Sequence, residues 1–185
     1  MVNIRVWAPK AMHAMRPDLV FFNSQFIIQN SYFISVMQIR PFQPSDLDTL
    51  YRIDQECFPP GISYSRNELT GFIGRRGAKT WVALANERIV GFVIVDREPQ
   101  GVGHIVTIDV VGGMRGKGVG KALMKLVEEW AQQEALRMIY LETAENNHSA
   151  QTFYSALGYG KVKEIPEYYS NGLAAWVMVK RFQRR

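Results

Sequence analysis

Hydrophobic residues recur along the chain with two spacings. Short apolar or alternating runs predict strands, and a spacing of three to four residues predicts amphipathic helices. Short apolar runs rich in β-branched and aromatic residues predict seven strands, at residues 38–42, 80–85, 88–96, 104–111, 138–144, 158–165 and 173–182. Apolar residues at helical spacing predict four helices, at 45–58, 65–73, 118–133 and 148–157. No repeat, low-complexity tract or internal linker interrupts this order, so the pattern predicts one α/β domain with a mixed sheet.

Capping and turn residues predict where these elements begin. Ser45 is the predicted N-cap of the first helix, and Ser65 with Glu68 forms a predicted capping box for the second helix. Asn86 and Glu87 separate two strand-like runs and predict a hairpin turn.

The first 36 residues differ from the rest of the chain. Their apolar stretch at 19–37 is interrupted by polar residues, so it suits neither a secretory signal nor a membrane span. We therefore interpret residues 1–36 as an N-terminal extension and residues 37–185 as the working domain. An accessory strand or helix packed on the domain, or an interfacial anchor, is the alternative.

Composition narrows the class of protein and of its partners. Apolar residues make up 47% of the chain and charged residues 21%, as in ordinary globular proteins, while a net charge of +5 favours an anionic partner. The basic residues are not interleaved with aromatic ones, so we expect no nucleic-acid partner; the polar residues within 19–37 also argue against a membrane. A single cysteine, Cys57, suits a reducing, cytoplasmic compartment, and with three histidines it does not predict a metal site.

A glycine-rich, basic turn joins the fourth predicted strand to the third predicted helix. It reads RGKGVG at 115–120 and is followed by Lys121. Glycine permits positive φ angles and close approach of the backbone, and a helix N-terminus offers N–H donors to an anion. The spacing completes neither the nucleotide loop G-x-x-x-x-G-K-[ST] nor the dinucleotide motif G-x-G-x-x-G. The turn is a candidate phosphate site, with a purely structural turn as the alternative.

In this context the turn resembles the acetyl-CoA pyrophosphate loop of the GNAT acetyltransferase superfamily. A second similarity is IYLETAENNHSAQTFYSALGY at 139–159, and the order of elements agrees from residue 37 to about 182. Within the superfamily the sequence looks most like the N-terminal (Nα-) acetyltransferases, including the ribosomal-protein alanine enzymes. CFPPGISYS at 57–65, GHIVTIDV at 103–110 and PEYYSNGLAAWVM at 166–178 carry that likeness.

The resemblance implies a GNAT fold: a mixed, mostly antiparallel, seven-stranded sheet flanked by about four helices and splayed between its fourth and fifth strands. It implies that acetyl-CoA binds in that opening. The residues that it assigns to acetyl-CoA are Ile108, Val110, Arg115, Gly116, Lys117, Gly118, Val119, Gly120, Lys121, Asn147 and Tyr154. The sequence departs from the family at Asp109, where a small or apolar residue is usual. It also has GGM at 112–114 in place of a proline and a bulky residue. We expect the Asp109 side chain to point away from the cofactor, because alternate strand residues face opposite sides.

Acetyl transfer to an amine requires a neutral amine and a proton for the leaving thiolate. At pH 7, removing the proton costs about 1 kcal/mol for a peptide α-amine and about 4.6 kcal/mol for a lysine. By resemblance, His104 and Glu142 are the candidate bases and Tyr154 is the candidate general acid, which suits the titration ranges of imidazole and phenol. A strand-end histidine, an exposed carboxylate and a core tyrosine are the structural alternatives.

Two loops are expected to contact the acceptor. Phe58 and Tyr64 lie in the first, and Tyr168 and Tyr169 lie in the second; a tyrosine ring suits a peptide backbone. These features favour an enzyme that acetylates a protein or peptide N-terminal α-amine by direct attack in a ternary complex. A small-amine acetyltransferase and a non-catalytic acetyl-CoA sensor are the alternatives. Cys57 is interpreted as a packed thiol rather than an acetylated nucleophile, and we expect a monomer or homodimer.

Overall fold

The backbone forms one mixed sheet with helices on both faces. The structure is a computed structural model that describes residues 24–30 and 33–183, with side chains from residue 37 onward. The strands are β1 (Ser24–Asn30), β2 (Phe33–Pro41), β3 (Ala78–Ala85), β4 (Arg88–Glu98), β5 (Val102–Val110), β6 (Met138–Ala144), β7 (Gly160–Ile165) and β8 (Ala175–Arg181). The α-helices are α1 (Leu47–Cys57), α2 (Arg66–Ile73), α3 (Val119–Gln133) and α4 (His148–Ala156).

Within the described part of the chain, the sheet has eight strands rather than the seven predicted. Their order is β1-β2-β3-β4-β5-β6-β8-β7, and every neighbouring pair is antiparallel except β5 with β6. The additional strand, β1, comes from the segment interpreted as an extension, and β2 begins at Phe33, before the predicted domain boundary. Residues 1–23 and 31–32 of that segment lie outside the described residues. The boundary between residues 36 and 37 stays a prediction.

The sheet opens between β5 and β6, which are the fourth and fifth strands of the sequence prediction. Their parallel pairing runs from Val102 with Met138 to Ile105 with Leu141. Beyond that point β5 continues to Val110 and β6 to Ala144, each without pairing to the other. The predicted splay is therefore confirmed. We call the opening between residues 106–110 of β5 and 142–144 of β6 the wedge. Backbone N–H and C=O groups that face it lack sheet partners, which marks a place for a ligand.

Alternation along β4 divides the core between the two faces of the sheet. Val93 and Val95 pack with α3 and Tyr154 of α4, whereas Phe92 and Ile94 pack with α1 and α2. All four of these β4 side chains are fully buried. Each such side chain contributes about 1.5–3 kcal/mol when it leaves water. The two cores hold β4 and β5 rigidly, and the open end of β5 extends from this support.

The predicted helix starts are right at Ser65 and wrong at Ser45. Ser65 accepts from the Glu68 N–H, and the Glu68 carboxylate accepts from the Ser65 N–H. At the first helix, Pro44–Asp46 forms a 3₁₀ turn, and Asp46 is the N-cap of α1. The Asp46 carboxylate is already committed, because it accepts from the Gln43 N–H and from the Arg40 guanidinium. The ion pair of Asp46 with Arg40 of β2 therefore places the N-cap of α1 one residue after the predicted position.

The hairpin predicted at 86–87 is confirmed. Asn86 and Glu87 have φ angles of 49° and 63°, and the turn joins β3 to β4. Positive φ at both central residues is the type I′ geometry that matches strand twist in a two-residue turn.

Candidate functional site

The glycine-rich turn places two glycines in a conformation that other residues rarely adopt. Gly116 has a φ of 72° and Gly118 a φ of 86°, and Gly118 is the N-cap of α3. A Cβ atom on either residue would meet no atom within 4 Å. The glycines are thus required by backbone conformation, and the space beside them is open.

The N-terminus of α3 offers an anion an uncapped set of donors. No side chain caps the helix at Gly118, and the N–H groups of its first residues have no partner one turn earlier. Val119 is buried and anchors the turn, while Lys117 and Lys121 are exposed beside it. Backbone donors, the helix dipole and two lysines together fit a phosphate or pyrophosphate group.

Arg115 ties the start of this turn to the end of β5. Its Nε donates to the Val110 carbonyl oxygen at 2.9 Å, and the Cys57 thiol lies 3.5 Å from the same oxygen. The Val110 carbonyl is therefore already hydrogen-bonded, whereas sequence reasoning assigned it to the ligand.

Backbone groups of β5 face the wedge. The Val111 N–H donates to the Val90 carbonyl on the β4 side at 3.0 Å. Consecutive residues of an extended chain direct their backbone groups to opposite edges. The N–H and C=O groups of Ile108 and the N–H of Val110 consequently point away from β4 and into the opening, where an extended ligand arm can pair with them; the Val110 carbonyl already accepts from Arg115.

His104 and Glu142 meet beside the wedge. Nε2 of His104 on β5 lies 2.8 Å from Oε2 of Glu142 on β6, and the exposed fractions of the two side chains are 17% and 13%. Glu142 comes directly after Leu141, the last residue of β6 that pairs with β5. A histidine and a carboxylate in contact at the closed end of an opening can accept and pass on a proton.

Two further residues complete this cluster, and sequence reasoning missed both. The Tyr140 ring stacks on the His104 ring, with centroids 4.4 Å apart and an interplanar angle of 3°. The Tyr140 hydroxyl donates to Oε1 of Glu98 at 2.8 Å, and the same oxygen lies 3.8 Å from Nδ1 of His104. Burial and the Glu98 carboxylate raise the pKa of Tyr140, so this hydroxyl stays protonated. Tyr140 is opposite His104 in the β5–β6 register, which is known only once the strands are paired.

Tyr154 lies on α4, in the core that α3 and α4 form with the sheet. Its side chain is buried between Phe153 and Tyr159, with ring centroids at 5.2 and 5.9 Å. Burial, followed by the nearby Asp109 and Tyr169, raises its pKa, which keeps the phenol protonated at neutral pH. Asn147, which was assigned to the cofactor, caps α4: its Oδ1 accepts from the Ala150 N–H at 3.1 Å. That oxygen is therefore used by the helix.

Three tyrosines lie near Glu142. Burial, followed by neighbouring groups that include Glu142, raises the pKa of Tyr64 and that of Tyr169, which reaches about 12. Tyr168 is 43% exposed. The Tyr64 hydroxyl donates to the Val106 carbonyl of β5 at 3.3 Å, and Tyr168 packs edge-on against Tyr169. The structure thus brings together the tyrosines that the sequence placed in two separate loops.

The two tyrosine-bearing loops contact each other directly. Oγ of Ser170 donates to the Gly61 carbonyl at 3.1 Å. Gly61 has a φ of 89°, and a Cβ there would lie 3.0 Å from that hydroxyl. Phe58 is half-buried at the C-terminal end of α1, and its described contacts do not join it to the tyrosines.

Asp109 points to the face of the sheet opposite Ile108 and Val110. Its neighbour across β4 is Phe92 in the α1–α2 core, whereas Ile108 and Val110 pack on the α3 core. Thr107 donates to its Oδ1 at 2.7 Å, and burial raises its pKa to about 8. Burial also raises the pKa of the Cys57 thiol, so the thiolate is disfavoured there.

Comparison with known proteins identifies the family. Residues 47–159 match the acetyltransferase (GNAT) family. This chain belongs to the GNAT family. The matched segment begins at α1 and ends just after α4, so it includes the wedge, the glycine-rich turn and the His104–Glu142 pair. The predicted family and the predicted class of enzyme, an acetyltransferase, are both confirmed.

Relatives and solved structures agree with this assignment. An uncharacterized N-acetyltransferase of Methanocaldococcus jannaschii is 34% identical over 146 residues, which cover 78% of this chain and 92% of that protein. N-alpha-acetyltransferase 30 of Schizosaccharomyces pombe is 31% identical over 117 residues, covering 61% and 78%. The structure of Ard1 from Thermoplasma volcanium has a TM-score of 0.74 at 24% identity and covers 80% of this chain and 99% of that chain. The predicted GNAT fold is thereby confirmed.

The acetyl donor of this GNAT enzyme is acetyl-CoA, as the sequence predicts. A solved structure of Arabidopsis thaliana NAA60 is a complex with acetyl-CoA; it has a TM-score of 0.70 at 21% identity, covering 78% of this chain and 98% of that one. The uncapped α3 N-terminus fits its pyrophosphate, and the wedge fits an extended arm with amide groups. Among the described residues, no helix is long and apolar enough to cross a membrane.

Proposed function

We propose that this GNAT enzyme transfers acetyl from acetyl-CoA to the N-terminal α-amine of a protein or peptide. The observation that carries the proposal is the meeting of the two tyrosine-bearing loops, which places Tyr64, Tyr168 and Tyr169 near Glu142. Tyrosines offer flat apolar faces and hydroxyl groups, which suit the alternating peptide groups and side chains of an extended chain end. Likeness to N-alpha-acetyltransferase 30 of Schizosaccharomyces pombe supports the same acceptor class.

The described residues would hold the cofactor at two places. The N–H groups at 118–121, with the side chains of Lys117 and Lys121, would bind the pyrophosphate. The inward peptide groups of Ile108 and the N–H of Val110 would pair with the arm. Bound there, acetyl-CoA supplies an acetyl group activated as a thioester. Arg115 contributes by fixing the turn to Val110 and adds positive charge, whereas Asn147 uses its Oδ1 to cap α4.

The protein's own groups supply the proton chemistry. Glu142 and His104, in contact at 2.8 Å, act as the base that removes a proton from the ammonium form of the acceptor. Tyr154 acts as the general acid for the leaving thiolate, since a phenol carries its proton at neutral pH and can donate it. An α-amine loses its proton for about 1 kcal/mol at pH 7, so this pair needs no strongly perturbed group.

Direct attack on the thioester is favoured over a covalent acetyl-cysteine. Cys57 is half-buried, its thiol faces the Val110 carbonyl, and its pKa is raised by burial. A thiol held in this state is a poor nucleophile, because the thiolate is the reactive form. The acceptor amine and acetyl-CoA therefore react in one ternary complex.

A small free amine is the second candidate acceptor. Glu98 and Glu142 both lie beside His104, and such an acidic lining suits a compact cation. The three tyrosines near Glu142 favour a peptide instead. The tyrosines therefore predict a large acceptor, and the two carboxylates predict a small one.

A peptide with a free α-amine and one internal lysine tests the proposal. After incubation with enzyme and acetyl-CoA, tandem mass spectrometry locates the acetyl group. We expect acetylation of the α-amine, and we expect Tyr168→Ala to raise KM for the peptide by roughly tenfold without changing the Kd of acetyl-CoA. Modification of the lysine alone would contradict the proposal. Arg52→Ala, on an exposed part of α1, is the control variant.

A further inference from the structure

His104 lies between two carboxylates that face opposite nitrogens of its ring. Nε2 is 2.8 Å from Glu142 Oε2, and Nδ1 is 3.8 Å from Glu98 Oε1. Only Nε2 is within hydrogen-bond distance of its carboxylate. A shift of about 1 Å would bring Nδ1 and Glu98 to the usual 2.7–3.2 Å. An imidazole with a partner on each side can take up a proton at one nitrogen and release another at the second.

The three groups form a line that leads from the wedge towards solvent. Glu142 lies just past the last β5–β6 pair, next to the opening, and His104 lies within the paired region. Glu98 ends β4, at the opposite end of this line. The exposed fraction rises outward, from 13% for the Glu142 side chain to 17% for His104 and 32% for Glu98.

Tyr140 holds the outer half of this line in place. Its ring covers the His104 ring at 4.4 Å in a parallel stack, and its hydroxyl donates to Glu98 at 2.8 Å. One side chain thus fixes both the plane of the imidazole and the carboxylate that faces Nδ1. Because the Tyr140 pKa is raised, the hydroxyl remains a donor and does not compete for the proton.

The other titratable groups near His104 are either paired or phenolic. Asp96 is opposite His104 in the β4–β5 register and forms an ion pair with Arg75 at 3.3 Å. The phenols on the two neighbouring loops that interact with Glu142 are Tyr64, Tyr168 and Tyr169. Among these described groups, Glu98 is therefore the carboxylate placed to receive a proton from Nδ1.

We propose that Glu98 is the outer end of a proton path that runs from the acceptor amine through Glu142 and His104 to solvent. Tyr140 is the residue that positions this path. The inference rests on the proposed function in two respects: the acceptor is an amine, and Glu142 with His104 is its base. Neither Glu98 nor Tyr140 touches the reacting atoms, so both act through His104.

Every proton on this path is accounted for over one turnover. Glu142 and Nε2 of His104 share one proton across their 2.8 Å contact. As an ammonium acceptor gives a proton to Glu142, the shared proton moves to Nε2, Nδ1 gives its proton to Glu98, and Glu98 releases it to water. The neutral amine then forms the C–N bond as the C–S bond breaks. The second amine proton offsets the one that the thiolate takes up, so each turnover releases one proton. Solvent exchange afterwards returns the His104 proton from Nε2 to Nδ1.

Glu98→Gln tests the path, because it keeps the shape of the side chain and removes its ability to carry a proton. We expect kcat at pH 7 to fall about tenfold, with unchanged KM for the acceptor and unchanged Kd for acetyl-CoA. Raising the imidazole concentration at constant pH and ionic strength should restore kcat, because a buffer can replace the lost outer carrier. Tyr140→Phe, which keeps the stack, should lower kcat about threefold. Glu87→Gln, in the exposed β3–β4 turn, is the matched control.

A second readout does not depend on activity. Nitrogen NMR of the enzyme without acetyl-CoA reports which ring nitrogen of His104 carries the proton; the chain has three histidines, so His104→Gln assigns the signal. Glu98→Gln and Tyr140→Phe should change that tautomer ratio, and Glu87→Gln should not.

Two results would overturn the path. One is wild-type kcat in Glu98→Gln, and the other is a loss of kcat that imidazole does not restore. Turnover of small amines but not peptides would remove only the proposed acceptor, since a proton must leave either amine.

Discussion

At the scale of single residues, Tyr154 carries the most specific chemical assignment. Tyr154→Phe removes only the hydroxyl from a buried ring. We expect kcat to fall by between tenfold and a hundredfold, because the thiolate loses its proton donor, with unchanged acetyl-CoA affinity and melting temperature. Steady-state kinetics with calorimetric titration checks this, and Tyr51→Phe in α1 is the control. Unchanged kcat would exclude Tyr154 as the acid.

Asp109 gives the molecule a pH-dependent stability. Its pKa is raised to about 8 by burial, whereas the unfolded chain releases this proton near pH 3.9. Between these values the folded state binds more protons than the unfolded state. The free energy of unfolding must therefore fall as pH rises towards 8. Asp54, whose pKa is raised to about 6, adds the same trend at lower pH.

Asp109→Asn should flatten this dependence. Between pH 6 and 8 we expect wild type to lose about 2 kcal/mol more than the variant in urea unfolding, because Asp54 is present in both proteins and contributes the same change to each. Asparagine keeps an oxygen to accept from Thr107. Asp48→Asn, at an exposed position of α1, is the control. Equal slopes for wild type and Asp109→Asn would contradict the burial of a protonated carboxyl group.

The candidate site was partly predictable residue by residue. His104, Glu142 and the tyrosines were selected by resemblance, and the structure brings them together. Glu98 and Tyr140 were missed because their roles depend on the β5–β6 register, which no local pattern encodes. Arg115 and Asn147 were assigned whole to the cofactor, although a backbone carbonyl and a helix cap each use part of these side chains. Local hydrogen bonds of that kind cannot be counted before the fold is known.

At the scale of elements, the turn that starts α3 links conformation to cofactor affinity. Gly118→Val places a β-branched residue at a φ of 86°, which costs about 1–2 kcal/mol or more, and its side chain occupies the open space beside the helix N-terminus. We expect the Kd of acetyl-CoA to rise more than tenfold, measured by calorimetry.

Two control variants distinguish the effect of the backbone conformation at Gly118 from a general loss of folding stability. Gly118→Asn tolerates the left-handed conformation and should lose less affinity than the valine variant. Gly71→Ala in α2, where a Cβ meets nothing within 4 Å, should leave the Kd unchanged. A wild-type Kd in Gly118→Val would contradict the assignment of this turn to the pyrophosphate.

Elements were predicted best where one local signal decided them. The Ser65 capping box and the 86–87 turn are self-contained, and both are confirmed. The start of α1 was misplaced because Arg40, five residues before Ser45, pairs with Asp46 and fixes the 3₁₀ turn. A contact with an adjacent strand overrode the local capping preference there.

At the scale of the whole molecule, the edge strand β1 tests how far the working domain extends. β1 pairs with β2 alone, while Met37 and Ile39 of β2 belong to the core. Deleting residues 1–32 therefore keeps all of β2. We expect this variant to unfold cooperatively, with a Kd for acetyl-CoA within about twofold of wild type, because β1 lies at the sheet edge far in strand order from the wedge. Loss of acetyl-CoA binding would contradict this.

The central claim is that acetyl-CoA and a peptide α-amine meet at the wedge beside His104 and Glu142. The most direct measurement is the initial rate of coenzyme A release at pH 7 with two pools of acceptors. One pool contains peptides with varied free N-termini, each matched to a copy with a blocked N-terminus, and the other contains small amines. We predict turnover with the free peptides that disappears in their blocked copies. Turnover confined to the small amines, or equal rates with free and blocked peptides, would contradict the account.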